Sequence, residues 1–226
     1  MCAAPGGKTT HLAEIMENKG IIVATDISRE KMKALRSHLS RMGVENVIAI
    51  RMDVREIRRL RNTFTKVLLD APCSGEGLIS IDPESIRRRR VEDLYIMASK
   101  QVELLKIAYE VVKEDGEIVY STCSIAPEEN EFVLNEILNT LEDRILIESP
   151  GINVGVPGFT EVFNIKLRSD LRKCIRLYPH KHSTEGFFIC KLRKKSIVFA
   201  PIPSKIRDEV FATLAQMFGY RMGTGM

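Results

Sequence analysis

Apolar residues along this chain fall into two alternating kinds of block. Short continuous runs end in a polar residue: residues 20–26 (GIIVATD), 46–53 (NVIAIRMD), 64–72 (FTKVLLDAP) and 116–124 (GEIVYSTCS). Each reads as a buried strand. Between them lie stretches of helical period. Residues 28–43 place Met32, Leu35, Leu39 and Met42 on one face, with Ser28 suited to cap the start and Gly43 to stop the end. Residues 91–113 form one long amphipathic helix, and 127–141 a further helix that opens at Pro127 with acids near its positive end. Residues 142–171 lack clear periodicity and read as a long loop. Residues 173–180 and 186–192 read as two strands joined by a polar turn. Strands alternating with helices predict an α/β fold, a doubly wound, mostly parallel Rossmann-like sheet with a C-terminal antiparallel hairpin. Ligands of such sheets sit at the carboxyl ends of the strands, where this sequence puts its acids and thiols.

The chain has 226 residues, 44% of them hydrophobic, enough for one domain with a sizeable core. The expected division is a domain over 1–193 and a tail over 194–226, whose segment IRDEVFATLAQMF is amphipathic. No apolar run reaches the ~18 residues of a membrane span, and no secretory leader is read, so a cytoplasmic monomer is expected. None of the five cysteines forms a C-x-x-C pair, which leaves no metal-ligand spacing, and their odd number in a cytosolic chain points to reduced thiols. The net charge is +4. Two arginine clusters, REIRRLR (55–61) and IRRRR (86–90), read either as solvated helix faces or as a phosphate-contacting surface.

The opening MCAAPGGKTT mimics a nucleotide-triphosphate loop. The pattern G-x-x-x-x-G-K-[ST] would need glycine at position 2, which is Cys2, and Pro5 removes an N–H from the cradle. A glycine pair still lets a ligand approach the backbone. Asp26, 19 residues after Gly7, ends the next strand and suits ribose hydroxyls, and Asp53 ends the one after and suits an adenine amino group. Loop, acid, acid describes an adenosine site without a pyrophosphate grip, which fits S-adenosylmethionine. The other half of the site holds two thiols at strand ends, Cys73 in LLDAPCSGEG beside Asp70 and Cys123 in VYSTCSIAPEENE. Cys123 lies four residues before the helix expected at Pro127, whose N-terminus would favour a thiolate.

CAAPGGKT, the strand-end Asp26 and Asp53, DAPCSG, Gln101, YSTCSIAPEENE and RLYPHKHSTEGFFICKL occur in one order across residues 1–193. In this the chain resembles the catalytic domain of the Sun (Fmu-type) RNA cytosine-5 methyltransferases. The resemblance implies that Cys123 is the nucleophile that adds to carbon 6 of cytosine. It implies that Cys73 assists release, and that Asp70 stabilises the N3-protonated ring. S-adenosylmethionine would be lined by Cys2, Ala3, Ala4, Pro5, Gly6, Gly7 and Lys8, with Lys31 near the adenosine. The partner would be tRNA or rRNA. His180 reads as an ordinary turn histidine, and Phe187 and Phe188 as core. The family places an apolar strand just before MCAAPGGKT, so the first strand is expected to be missing. Its two neighbours would then lack ladder partners, the loop would lack an anchor, and stability and activity would suffer. The alternative reading that follows is a weak or inactive RNA-binding protein of the same fold.

Overall fold

The computed structural model describes residues 1–79, 81, 84, 90–196, 209 and 213. Ile86, the arginines at 87–89 and nearly all of the amphipathic tail segment lie outside the described residues. Met1–Lys195 form one compact unit.

Helix α1 (Gly7–Ile15) leads into strand β1 (Ile22–Asp26), helix α2 (Arg29–Arg41) and strand β2 (Val47–Arg51). A 3-10 helix (Val54–Leu60) precedes β3 (Phe64–Asp70). Helix α3 (Val91–Val111) runs into β4 (Val112–Thr122), and a 3-10 turn (Pro127–Glu129) precedes α4 (Glu131–Leu141). The short strands β5 (Ile145–Glu148), β6 (Val156–Pro157), β7 (Glu161–Val162) and β8 (Ile165–Lys166) follow. The unit closes with β9 (Ile175–Leu177), the helical turn α5 (Pro179–His182) and β10 (Phe187–Lys194).

Two parallel pairs carry the site. β1 pairs with β2 from Ile22↔Val47 to Asp26↔Arg51. β3 pairs with β4, with Leu69 opposite Tyr120 and Asp70 opposite Ser121. β10 lies antiparallel on the far side of β4 and also pairs with β9, as the hairpin reading predicts, and with β5. The expected long loop over 142–171 is therefore a correction: it contains four strands of two to four residues, too short to show a period of two. The helix expected from Pro127 is a 3-10 turn at first, and the α-helix starts at Glu131.

The main core lies between the β3–β4–β10 face and helices α3 and α4. Leu105, Ile107 and Ala108 of α3 and Leu134, Ile137 and Leu138 of α4 are fully buried there with Leu69, Ile118 and Phe188. A second cluster seats Met32, Leu35 and Leu39 of α2 on Ala24 of β1. Met42, read as part of that stripe, is the exposed C-cap of α2 instead.

β1 and β3 flank a groove of about 470 Å³, lined by Ile22, Val23, Val67 and Leu68. Among the described residues no strand pairs with either of them on that side. The first residues span the gap at its upper end: the Met1 amino group donates to the Leu68 carbonyl (2.7 Å) and Ala3 N–H to the Thr25 carbonyl (2.9 Å). The groove reaches Lys8 and Asp70 but neither thiol.

Arg176 of β9 ties the antiparallel strands to the site-bearing ones. Its guanidinium is 2% exposed and donates to Glu131 Oε2 (3.2 Å) at the start of α4 and to the Ile125 carbonyl (2.9 and 3.1 Å). It also stacks on Phe159, 4.3 Å from the ring centroid. Burial raises the Glu131 carboxyl above its ordinary value, and Arg176 opposes this. Breaking a buried pair from one side strands the other charge. Arg176→Met should therefore cost about 3–5 kcal/mol in urea denaturation. Adding Glu131→Leu should recover part of that loss. Single and double variants of independent, additive cost would contradict the coupling.

Candidate active site

The glycine-rich loop is held by its neighbours. Asp26 accepts from Ala4 N–H (3.2 Å) through one oxygen and from Ser28 N–H (2.9 Å) through the other. His38 Nδ1 lies 2.9 Å from the Pro5 carbonyl, and Thr9 Oγ1 donates to the Ala3 carbonyl (3.4 Å). Gly6 has φ of +115°, and a Cβ there would stand 2.6 Å from Leu35 Cδ1, so glycine is required on both counts. The expectation that the loop lacks an anchor is thus corrected: β1 and α2 supply one.

The strand-end acids differ in what they already hold. Each Asp26 oxygen accepts one backbone hydrogen bond and keeps acceptor capacity for a hydroxyl. Asp53 caps the 3-10 helix and is gripped by Arg55, which holds its carboxyl at about 2, well below the usual range. Lys31 is exposed on the first turn of α2, three residues from the Ser28 cap. Asp70 accepts from Lys8 Nζ (2.8 Å) and Ser121 Oγ (2.9 Å). Lys8 Nζ also lies 5.0 Å from the centroid of the Phe187 ring. Phe187 was expected in the core with Phe188. Only Phe188 is fully buried, while half-buried Phe187 backs the lysine. His180 is exposed on the α5 turn.

The structure brings Cys73 and Cys123 together, with their sulfurs 2.8 Å apart. One sulfur donates and the other accepts. The Cys123 thiol is lowered from its ordinary value, first by the hydrogen bond from Cys73 and, more weakly, by Lys8. Cys73 is pushed far up by that same bond, by burial, and by the charges of Cys123 and Glu129. The ground given above for a Cys123 thiolate is corrected here: α4 begins only at Glu131, and the neighbouring thiol acts in place of a helix end.

Of the residues that hold this pair, Gln101 was singled out from the sequence, and Ser74, Thr122, Glu129 and Asn130 were not. Glu129 is fully buried and accepts from Ser74 N–H (2.8 Å), Ser74 Oγ and Gln101 Nε2 (3.1 Å), while Gln101 also donates to the Pro72 carbonyl (2.9 Å). Thr122 Oγ1 donates to Asn130 Oδ1 (2.6 Å), and Asn130 Nδ2 to the Ser124 carbonyl (2.9 Å), which fixes the turn after Cys123. Gly77 donates to the Cys123 carbonyl and accepts from Gly186 N–H, both at 2.9 Å. The glycines in SGEG and STEG were the available signal. The arginines of the 55–61 cluster read mainly as a structural face. Arg55 pairs with Asp53, and Arg58 and Arg61 pair with Glu110.

Comparison with known proteins gives the family. A family model described as 16S rRNA methyltransferase RsmB/F matches residues 1–193. A human 28S rRNA (cytosine(4447)-C(5))-methyltransferase is 41% identical over 87% of this chain and 24% of its own length. A tRNA (cytosine(72)-C(5))-methyltransferase of Pyrococcus horikoshii is 38% identical over 86% of this chain and 46% of its own length. A crystal structure of NSun6 from Pyrococcus horikoshii with SFG superposes with a TM-score of 0.72 at 35% identity. That match covers 87% of this chain and 47% of the solved one. The chain therefore spans a quarter to a half of the relatives it matches.

A Cβ on Gly77 would stand 2.1 Å from the Gly186 carbonyl oxygen and 2.7 Å from that of Cys123, whereas one on Gly7 would meet nothing within 4 Å. Gly77→Ala should cost about 1–3 kcal/mol in thermal or urea unfolding. Gly7→Ala, at the first position of α1, should be neutral or stabilise by about 0.4–1 kcal/mol. Equal effects at the two sites would contradict the close junction at Gly77.

Proposed function

Because this chain belongs to the RsmB/F family of RNA cytosine-5 methyltransferases, we propose that it methylates carbon 5 of a cytosine in tRNA or rRNA. Cys123 is the nucleophile and S-adenosylmethionine the methyl donor. The observation that carries this reading is the pair of thiols 2.8 Å apart, one favoured as thiolate and one held protonated, at the strand ends next to the Lys8–Asp70 bridge. Methylation of an amine or a hydroxyl needs no thiolate.

The residues at the loop fit the donor. Asp26 has acceptor capacity for two ribose hydroxyls, Gly7 has open space where a Cβ would stand, and Lys31 is exposed on the first turn of α2. Asp53 reaches an adenine amino group only in competition with Arg55. When bound, S-adenosylmethionine would supply an electrophilic methyl group.

The protein's own steps concern the cytosine. Carbon 5 is a poor nucleophile until carbon 6 is saturated. The Cys123 thiolate adds to carbon 6, and the electron pair displaced from the 5,6 double bond moves into the ring as N3 takes up a proton from water. Asp70, oriented by Ser121 and Lys8, accepts the hydrogen bond of that N3–H. After methylation water takes up the carbon-5 proton, the re-forming double bond expels Cys123 as thiolate, and N3 returns its proton to solvent. Cys73 assists this release by returning its S–H hydrogen bond to the departing Cys123 sulfur. The alternative of an inactive RNA-binding protein is not favoured, because the two thiols are in contact and Lys8 is bridged to Asp70. A cytoplasmic location belongs to the same proposal; no helix among the described residues is long and apolar enough to cross a membrane.

Two expectations follow. Asp26→Ala should weaken S-adenosylmethionine binding by about 1.5–3 kcal/mol, the value of a hydrogen bond to a charged group. Calorimetry showing equal affinity would remove Asp26 from the site. With a cytosine-bearing tRNA or rRNA substrate identified by bisulfite sequencing, Cys123→Ala should give neither 5-methylcytosine nor a covalent adduct. Cys73→Ala should accumulate an enzyme–RNA complex that survives denaturing gels. A trapped complex with Cys123→Ala instead would reverse the two roles.

A further inference from the structure

Two sulfurs 2.8 Å apart are able to lose one proton readily but not two, because a second loss would place two anions in contact. The site therefore holds one proton between Cys73 and Cys123, and the surrounding charges decide which sulfur keeps it. On the Cys123 side the nearby groups are Asp70, which disfavours an anion, and Lys8, which favours it and is itself bridged to Asp70. On the Cys73 side the charged group is Glu129.

Glu129 is unusual for a carboxylate. It has no exposed surface, and among the described residues it forms no ion pair. Among the described residues its oxygens meet neutral donors, Ser74 N–H, Ser74 Oγ–H and Gln101 Nε2–H. A buried charge with no cation beside it among these residues acts on its surroundings with little screening. Two of its three donors come from Ser74, the residue after Cys73, so the carboxylate is fastened to the backbone that carries that thiol. The Tyr120 hydroxyl holds the turn from beneath by donating to the Glu129 carbonyl (2.6 Å).

We propose that Glu129 is a positioning residue that assigns the shared proton: it fastens the Cys73 loop through Ser74 and keeps the proton on Cys73, leaving Cys123 as the anion. A neutral Cys73 is then the thiol that donates to the nucleophile, and the two cysteines differ in role before any substrate arrives. This inference rests on the reading of Cys73 and Cys123 as the working thiols of the site. Its test uses no RNA, so it is able to fail while that reading stands.

The test is alkylation of the full chain by iodoacetamide from about pH 6 to about pH 9, a range that spans ordinary thiol ionisation. Initial rates are resolved by peptide mass spectrometry. The wild type should alkylate Cys123 at lower pH than Cys73. Glu129→Gln preserves shape and leaves Ser74 Oγ a partner, but removes the charge. It should narrow the preference for Cys123 about tenfold, one unit of relative thiol ionisation. Ser74→Ala removes a hydrogen bond but leaves the carboxylate, and should keep the preference. An unchanged preference in Glu129→Gln overturns the proposal. So does an equal loss of preference in Ser74→Ala, which would mark loop packing as the cause. If Glu129→Gln does not fold, Glu129→Asp, which retains the charge, should retain the preference, and its loss in a folded Glu129→Asp protein likewise overturns the proposal.

Discussion

The parallel register of β3 on β4 is the constraint from which the site follows. With Asp70 opposite Ser121, both strands run out at the same edge of the sheet, and the residues three and two positions beyond, Cys73 and Cys123, arrive side by side. Because successive side chains of a strand point to opposite faces, a slip of one residue would turn Leu69, Ile118 and Tyr120 out of the core. The burial of those side chains against α3 and α4 thus fixes the register, and the register fixes the distance between the thiols. The geometry of the thiol pair is a by-product of hydrophobic packing a few residues away.

Strand ends alone would leave the two loops free to part. Three junctions prevent it. Glu129 ties the turn after Cys123 to the Cys73 loop through Ser74, and Gln101 joins both to α3. The backbone contact of Gly77 with the Cys123 carbonyl and with Gly186 adds the end of the hairpin. Arg176, buried against Glu131, holds the Ile125 carbonyl from the other side. Each junction joins a site loop to an element of the core. The half of the site built on β1 and β2 is a separate parallel pair with its own cluster around Leu35. The Met1 and Ala3 hydrogen bonds and the Lys8–Asp70 bridge connect it to the thiol-bearing half.

Much of this was legible in the sequence, for a definite reason. Apolar runs ending at or near Asp26, Asp53 and Asp70 expose both the sheet and the edge where its acids gather, because an apolar run closed by an acid marks where a buried strand comes to the surface. The hairpin at 175–194 and the stripe Met32–Leu35–Leu39 were readable from period alone. Pairings between loops were not. Nothing in the local pattern says that Gly77 meets Gly186, or that Glu129 receives Ser74, since both depend on which strands become neighbours. Arg176 would pass for a surface residue, and it is buried because Glu131 and the Phe159 ring lie where its guanidinium ends. Strands β5 to β8 escaped because segments of two to four residues have no measurable period. The turn at Pro127 shows the reverse error, a true start signal that opened a 3-10 turn and delayed the α-helix to Glu131.

The account turns on Cys73 and Cys123 being held in contact by the fold itself, before any ligand binds. Mild oxidation with diamide, followed by peptide mapping under non-reducing conditions, measures this directly. Contact between the sulfurs predicts rapid and selective recovery of a Cys73–Cys123 disulfide from the folded chain, with neither residue linked to Cys2. Recovery of Cys73 and Cys123 as separately alkylated peptides after the same treatment would contradict it.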